Sequence, residues 1–434
     1  MPVIIIEPGS ALIDVPRAIR LFGLTPGERV TIVSTLGHDD GTSWRGETAF
    51  AADEQGEVDL ARDAPVAGGY EGVSPMGVVW SMRQVTAPPL PSPTVQPLTV
   101  QLEAHGDGGA SAHGSFEQYF LAPGVTRREI RERGLVGTLF MPSGPGPHPI
   151  VIMLAGSGGG IMETRAALFA AHGYGALALG YFGAPGLPAH ISGTPLEYFE
   201  TGLDWVHGTL APAQGFVAVC GVSRGGELAL LLGATFPDRI GTVIAYVPSP
   251  FTHGVLNAGR PGEDRHAPTW THRGKPLPVL SRPNTQAEWS LFDDAPPPKR
   301  QTPAFLSALR DLQAVERAFI PLERTKGPVL LISGEDDALW PSTPFSELAV
   351  ERLQKARHPY PVRHLAYADA GHTIQFPYVP TTVLARPHPV SGIALAYGGT
   401  APGNARACEE SWRGALAFLA EAVEERRASA GVSA

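Results

Sequence analysis

The chain has 434 residues, 43% of them hydrophobic and 17% charged, with a formal net charge of −9. That length exceeds one ordinary core and predicts two domains of a soluble globular protein. The acidic balance argues against a nucleic-acid partner, whose phosphates need a basic footprint, but leaves room for a small anionic ligand at a local basic patch.

The amino terminus, Met1-Pro2-Val3-Ile4-Ile5-Ile6-Glu7-Pro8, lacks the basic flank and long apolar stretch of a signal peptide. Residues 1–123 read as all-β. Val30–Ser34, Trp44–Phe50 and Val78–Met82 are short strand-like runs between turn signals such as Thr25-Pro26-Gly27 and Asp39-Asp40-Gly41. Leu98–Leu102 resumes the strand pattern after a Pro-rich stretch, 87–93, that predicts a loop or edge crossing. Short strands at this spacing predict a small β-sandwich.

From residue 124 to 434 strands alternate with helices. Leu135–Met141, Pro149–Leu154, Tyr174–Leu179, Val243–Val247, Val329–Ser333 and Val362–Tyr367 read as strands, and stretches through Ala166–Phe169 and from Leu196 as helices. The alternation predicts an α/β domain with a mostly parallel sheet covered by helices on both faces. Residues 251–300 interrupt it with many Pro, Gly, Arg and His residues, and such an insertion is expected to act as a lid or binding loop. No run of about twenty apolar residues occurs, so no membrane span is expected. The two cysteines, Cys220 and Cys408, do not make a disulfide framework, and a reducing cytoplasm is the expected compartment.

The most informative stretch runs from Phe216 to Leu230. A buried-strand pattern, Phe216–Cys220, passes through Gly221-Val222-Ser223-Arg224-Gly225 into the helical Gly226-Glu227-Leu228-Ala229-Leu230. Gly-x-Ser-x-Gly between a strand and a helix is the context of a nucleophile elbow, so Ser223 is the candidate nucleophile. In that arrangement an acid and then a histidine follow in the chain. The acid is expected at Asp336 or Asp337, just past Val329–Ser333. Asp337 is favoured because Gly334-x-x-Asp337-x-x-x-Pro341 sets it one turn beyond the strand. The base is expected at His372, on the loop after Val362–Tyr367 and behind a glycine that permits a tight turn. His364 reads as packed, His358 as loop surface, and His253, His266 and His272 as insertion residues that precede the acid. The oxyanion donors are expected to be the backbone N–H of Arg224 and those of Ser157 and Gly158 in the Gly-rich turn after an early strand. A phosphate loop is the rival reading of that turn, but no Lys-Ser/Thr follows it. Neither a metal site nor a cofactor is expected, and the substrate-binding residues stay unassigned.

With these residues in hand, the chain resembles the acyl-CoA thioesterase / bile acid-CoA:amino acid N-acyltransferase family of the α/β-hydrolase superfamily. The resemblance covers almost the whole chain. It rests on the run Gly69 to Met82 in the first domain, then on Gly156–Gly160, Leu196–Glu200, Gly221–Leu228, Gly334–Trp340, Gly371-His372 with Pro377-Tyr378, and Tyr397-Gly398-Gly399, in that order. It implies an α/β-hydrolase domain behind an immunoglobulin-like one, a triad at Ser223, Asp337 and His372, and acyl thioesters as substrates; the carrier is read as CoA, with an acyl carrier protein as the alternative. The amino-acid-conjugating branch carries Cys as nucleophile; Ser223 here implies hydrolysis. Arg224 stands where the family usually has Lys, and Asp336-Asp337-Ala338-Leu339-Trp340 where it has Asp-Asp-His-Asn-Trp. The alternatives are a biosynthetic release, cyclising or acyl-transfer enzyme working on a carrier-bound or CoA-bound thioester, and a carboxylesterase, since a triad does not distinguish oxygen from sulfur esters.

Overall fold

The structure, a computed structural model, describes residues 2–86 and 95–431, so the Pro-rich stretch 87–93 lies outside the described residues. The chain divides into two compact units.

The first unit is β-rich. One sheet joins Val3–Glu7, Ala18–Phe22 and Val58–Asp59; a second, of seven strands, is centred on Arg29–Gly37, Ser43–Ala51, Leu98–Gly106 and Ser111–Tyr119. Burial alternates along Arg29–Gly37 and Leu98–Gly106, which turn Val30, Ile32, Leu36, Val100 and Leu102 inward, as a sheet packed on one face requires. Of the run Val78–Met82, expected as a strand, Val78 to Trp80 lie instead in a helical turn, Gly77–Trp80, all four of whose residues are buried. An apolar run buried on every side has no period by which to tell strand from helix. The unit also takes in Gln375–Leu384 and Thr400–Glu409, far along the chain from the expected boundary near 123. They are held by backbone groups: Thr381 N–H donates to Trp80 O at 3.0 Å, Thr382 Oγ1 to Met82 O at 2.6 Å and Gln118 Nε2 to Tyr378 O at 3.3 Å. No sequence pattern encodes such main-chain contacts.

The second unit is built on eight strands: β1 (Thr126–Ile130), β2 (Val136–Met141), β3 (Ile150–Leu154), β4 (Gly175–Gly180), β5 (Val217–Val222), β6 (Thr242–Tyr246), β7 (Val329–Gly334) and β8 (Val362–Tyr367). Their order in the sheet is β1-β2-β4-β3-β5-β6-β7-β8. β2 is antiparallel to both its neighbours and the other pairs are parallel. The six inner strands are buried along nearly their whole length, as strands covered on both faces must be, while at the edges β1 is largely exposed and β8 mostly half-buried. The covering helices include α1 (Glu163–Ala171), α2 (Leu196–Trp205), α3 (Arg224–Thr235) and α4 (Ser342–Lys355). This strand order with crossover helices is the α/β-hydrolase fold. Its inner strands end at the turns that carry Ser157, Ser223 and Asp337, which gathers these distant positions at one edge of the sheet.

Candidate active site

β5 ends at Val222 and α3 begins at Arg224, so Ser223 alone makes the turn between them. It does so with φ 59° and ψ −118°, a region that costs a non-glycine residue about 1–3 kcal/mol and recurs at functional sites. Its N–H donates to Tyr246 O at 2.8 Å, which ties the turn to the end of β6. A Cβ at position 221 would stand 1.9 Å from Gly225 O, and one at 225 would stand 2.4 Å from Ala155 O. Only glycine lets the strand, the helix and the turn after β3 come this close.

Asp337 is buried, three residues beyond the end of β7. Its Oδ1 accepts the Leu339 and Trp340 amides at 2.9 and 3.2 Å, and its Oδ2 accepts from His372 Nδ1 at 2.7 Å. Asp336, the other candidate acid, is turned away: it pairs with Arg300 at 2.7 Å and accepts the Gly399 amide at 2.9 Å, and these donors hold its carboxyl below the usual range despite partial burial. His372 is 5% exposed, and its own N–H donates to Tyr397 O at 2.7 Å. Trp340 and Tyr397 flank the ring, with centroids 5.9 and 6.2 Å away. Because a carboxylate only accepts, Nδ1 carries the proton and Nε2 the lone pair. Nε2 is buried and has no hydrogen-bond partner among the described residues, Ser223 included. Asp337 and His372 are thus in contact, and Ser223 is not hydrogen-bonded to them.

The turn after β3 lies against the serine. A Cβ on Gly156 would be 3.3 Å from Ser223 Cβ and 3.8 Å from its Oγ. The amides of Gly159 and Gly160 are used within the fold, by Gly156 O and Phe182 O, whereas those of Ser157, Gly158 and Arg224 donate to no acceptor among the described residues. The Arg224 amide also opens the twelve-residue α3, whose dipole favours negative charge at that end. Three free amides beside a serine are suited to a developing oxyanion.

The Arg224 side chain points elsewhere. Buried, it donates to Glu227 at 2.6 Å and to Gly254 O at 2.9 Å, and lies over Trp340 at 5.8 Å. Glu227, fully buried, also accepts the Trp270 indole at 2.7 Å and the His253 amide at 3.2 Å; burial pushes its carboxyl up, against the pull of Arg224. This network pins the start of the 251–300 insertion to α3. His253 is packed there, 2.8 Å from Ser249 Oγ, and held neutral by burial. Of the remaining histidines, His364 bonds Ser333 Oγ, His358 Gly327 O and His266 Ser281 Oγ. Cys220 is buried and its thiol is pushed up to about 12, which leaves it inert. Sequence reasoning missed His388, whose ring is 2.9 Å from Ser157 Oγ, and Glu227 as the partner of Arg224. The i,i+3 spacing of Arg224 and Glu227 was a usable signal for the pair, whereas nothing local marks His388.

A serine in a strand–helix turn, amides without an acceptor among the described residues and an Asp–His pair on an α/β-hydrolase sheet fit the class of serine hydrolases. A profile described as "BAAT / Acyl-CoA thioester hydrolase C terminal" matches residues 194–425, and one described as "Acyl-CoA thioester hydrolase/BAAT N-terminal region" matches residues 14–132. The chain belongs to this acyl-CoA thioester hydrolase/BAAT family. It is 32% identical over 429 residues to acyl-coenzyme A thioesterase 6 of Mus musculus, covering 95% of each chain. It is also 32% identical over 421 residues to acyl-coenzyme A amino acid N-acyltransferase 2 of the same species, covering 94% of this chain and 95% of that one. Among solved structures, a dienelactone hydrolase from Anabaena variabilis aligns with a TM-score of 0.32 at 18% identity, over 57% of this chain and 88% of its own.

Proposed function

We propose that this protein hydrolyses acyl-CoA thioesters through Ser223, His372 and Asp337. His372 Nε2 takes the proton of Ser223 Oγ as the oxygen attacks the thioester carbonyl carbon. The carbonyl π electrons move to oxygen, and the amides of Arg224, Ser157 and Gly158 receive the negative charge. Collapse breaks the C–S bond, and His372 returns its proton to the departing thiolate. Water, deprotonated by the same nitrogen, then cleaves the acyl-enzyme to the free carboxylic acid. Asp337 holds the imidazole in the tautomer that leaves Nε2 basic and stabilises the imidazolium.

The observation that carries this reading is the Asp337–His372 pair, with its buried, unpartnered Nε2, in a chain of a thioester-cleaving family. A serine nucleophile favours water over an amine as acceptor. A cytoplasmic setting is part of the reading, supported by two buried cysteines, Cys220 and Cys408, that form no disulfide; cell fractionation tests it. Among the described residues no helix is long and apolar enough to cross a membrane.

Free-thiol release from a panel of acyl-CoAs tests the reaction, with acyl-carrier thioesters and oxygen esters alongside. Ser223→Ala is expected to lower kcat by about 10³-fold or more while leaving the fold intact. Absence of thiol release from every acyl-CoA would overturn the substrate class, and full activity in Ser223→Ala would overturn the mechanism.

A further inference from the structure

The turn that follows β3 carries a polar pair for which the mechanism above has no use. Ser157 Oγ lies 2.9 Å from His388 Nε2. His388 is 3% exposed and follows directly on Ala385–Pro387, which pairs with Ala394–Ala396 as a two-stranded ribbon. Its Nδ1 accepts the amides of Val390 and Ser391 at 3.3 and 3.4 Å. A neutral imidazole with its lone pair on Nδ1 carries its proton on Nε2, so the ring donates to Ser157 Oγ. Burial keeps that ring neutral, pushing it down to about 4, and the Arg386 and Arg224 guanidiniums add to the effect. The Ser157 hydroxyl thereby accepts from the ring, while its own proton has no acceptor among the described residues. The same loop braces the next residue, since Pro389 Cγ lies 3.3 Å from where a Cβ on Gly158 would stand. On the other side, Gly156 packs against Ser223.

We propose that the Ser157 hydroxyl is a further catalytic group, donating a side-chain hydrogen bond to the acyl oxygen as it gains charge, and that His388 is the positioning residue that aims it. By donating to Oγ, His388 leaves the hydroxyl proton available to donate to a bound acyl group. The arrangement adds a donor without moving any backbone, and its contribution grows as charge develops on the acyl oxygen. The inference rests on Ser223 being the nucleophile of the proposed reaction.

The test is a double-mutant cycle in the full-length protein with two substrates, an acyl-CoA and an activated phenyl ester. Ser157→Ala is expected to lower kcat by about 100-fold with little change in KM, the signature of a bond made chiefly in the transition state. His388→Leu should lower kcat by about tenfold or more, and His388→Gln, whose amide can still donate, should recover most of it. Combining Ser157→Ala with His388→Leu should cost no more than Ser157→Ala alone, because the histidine acts through that hydroxyl. A kcat for Ser157→Ala within about twofold of wild type, or losses that multiply, would overturn the proposal. If His388→Leu does not fold, Ser157→Ala, which removes one oxygen from a half-buried turn, decides alone. The expected losses on the phenyl ester in an enzyme inactive on acyl-CoA would overturn the thioester reading and uphold this one. Turnover that survives Ser223→Ala would overturn both.

Discussion

Asp337 Oδ2 accepts from His372 Nδ1 while Oδ1 accepts the Leu339 and Trp340 amides, so the carboxylate cannot rotate without giving up hydrogen bonds on both oxygens. Asp337→Asn therefore probes tautomer choice more than geometry. The amide oxygen can keep the two backbone bonds, but its NH₂ then faces Nδ1 and drives the imidazole proton onto Nε2, where the base is needed. A kcat lower by about 10⁴-fold with near-normal thermal unfolding is the expected outcome of thiol-release assays and calorimetry. A drop of only a few-fold would mean that the acid lies elsewhere, and Asp336 would be next to test. Its pairing with Arg300 and the Gly399 amide makes it a loop-holding residue in the present geometry. Residue type alone does not separate two adjacent aspartates; their partners do.

At the scale of elements, the β5–Ser223–α3 unit shows how local chemistry and long-range packing share one task. Gly221 and Gly225 are required by backbone approach, and both were readable from the motif. The depth at which α3 sits depends on a buried ion pair closed by residues far along the chain: Glu227 with Trp270 and the His253 amide, Arg224 with Gly254 O. Removing one charge from such a pair strands the other without water. Glu227→Gln keeps the shape and is expected to destabilise the catalytic unit by about 3–5 kcal/mol, seen as a lowered denaturation midpoint. Replacing both charged groups by apolar residues of similar volume should cost much less. Equal losses for the single and double changes would show that packing, not charge, governs the site.

For the whole molecule, buried neutral histidines make stability depend on pH. The His388 ring is pushed down to about 4 by burial, and that of His253 well below its ordinary value. Above the ordinary histidine value of about 6.5 these rings are neutral whether the chain is folded or not. As pH falls, the unfolded rings take up protons first, so the unfolded state gains relative to the folded one. For His388 the loss accumulates from about pH 6.5 down to about 4 and amounts to about 3 kcal/mol. The melting temperature should fall across that window, and His388→Gln should flatten part of the slope. A variant with the wild-type slope would mean that the ring takes up a proton without unfolding.

The residues proposed to carry the chemistry were legible as candidates because they sit in short segments whose covalent neighbours dictate their form. Gly-x-Ser-x-Gly needs glycines at the two places where backbones touch, and buried parallel strands write themselves as apolar runs, so β2 to β7 were legible. The order of Ser223, Asp337 and His372 followed from the same logic. What only the tertiary structure decided are contacts whose two halves lie far apart in sequence and include main-chain atoms or a ring with no local pattern. The return of 375–384 and 400–409 to the first unit is one such case, and the helical form of Gly77–Trp80 within an apolar run is another. The meeting of Ser157 with His388 across 231 positions belongs with them. Periodicity and spacing report the environment of a segment, whereas a hydrogen bond between two distant segments depends on how the whole sheet and its loops close.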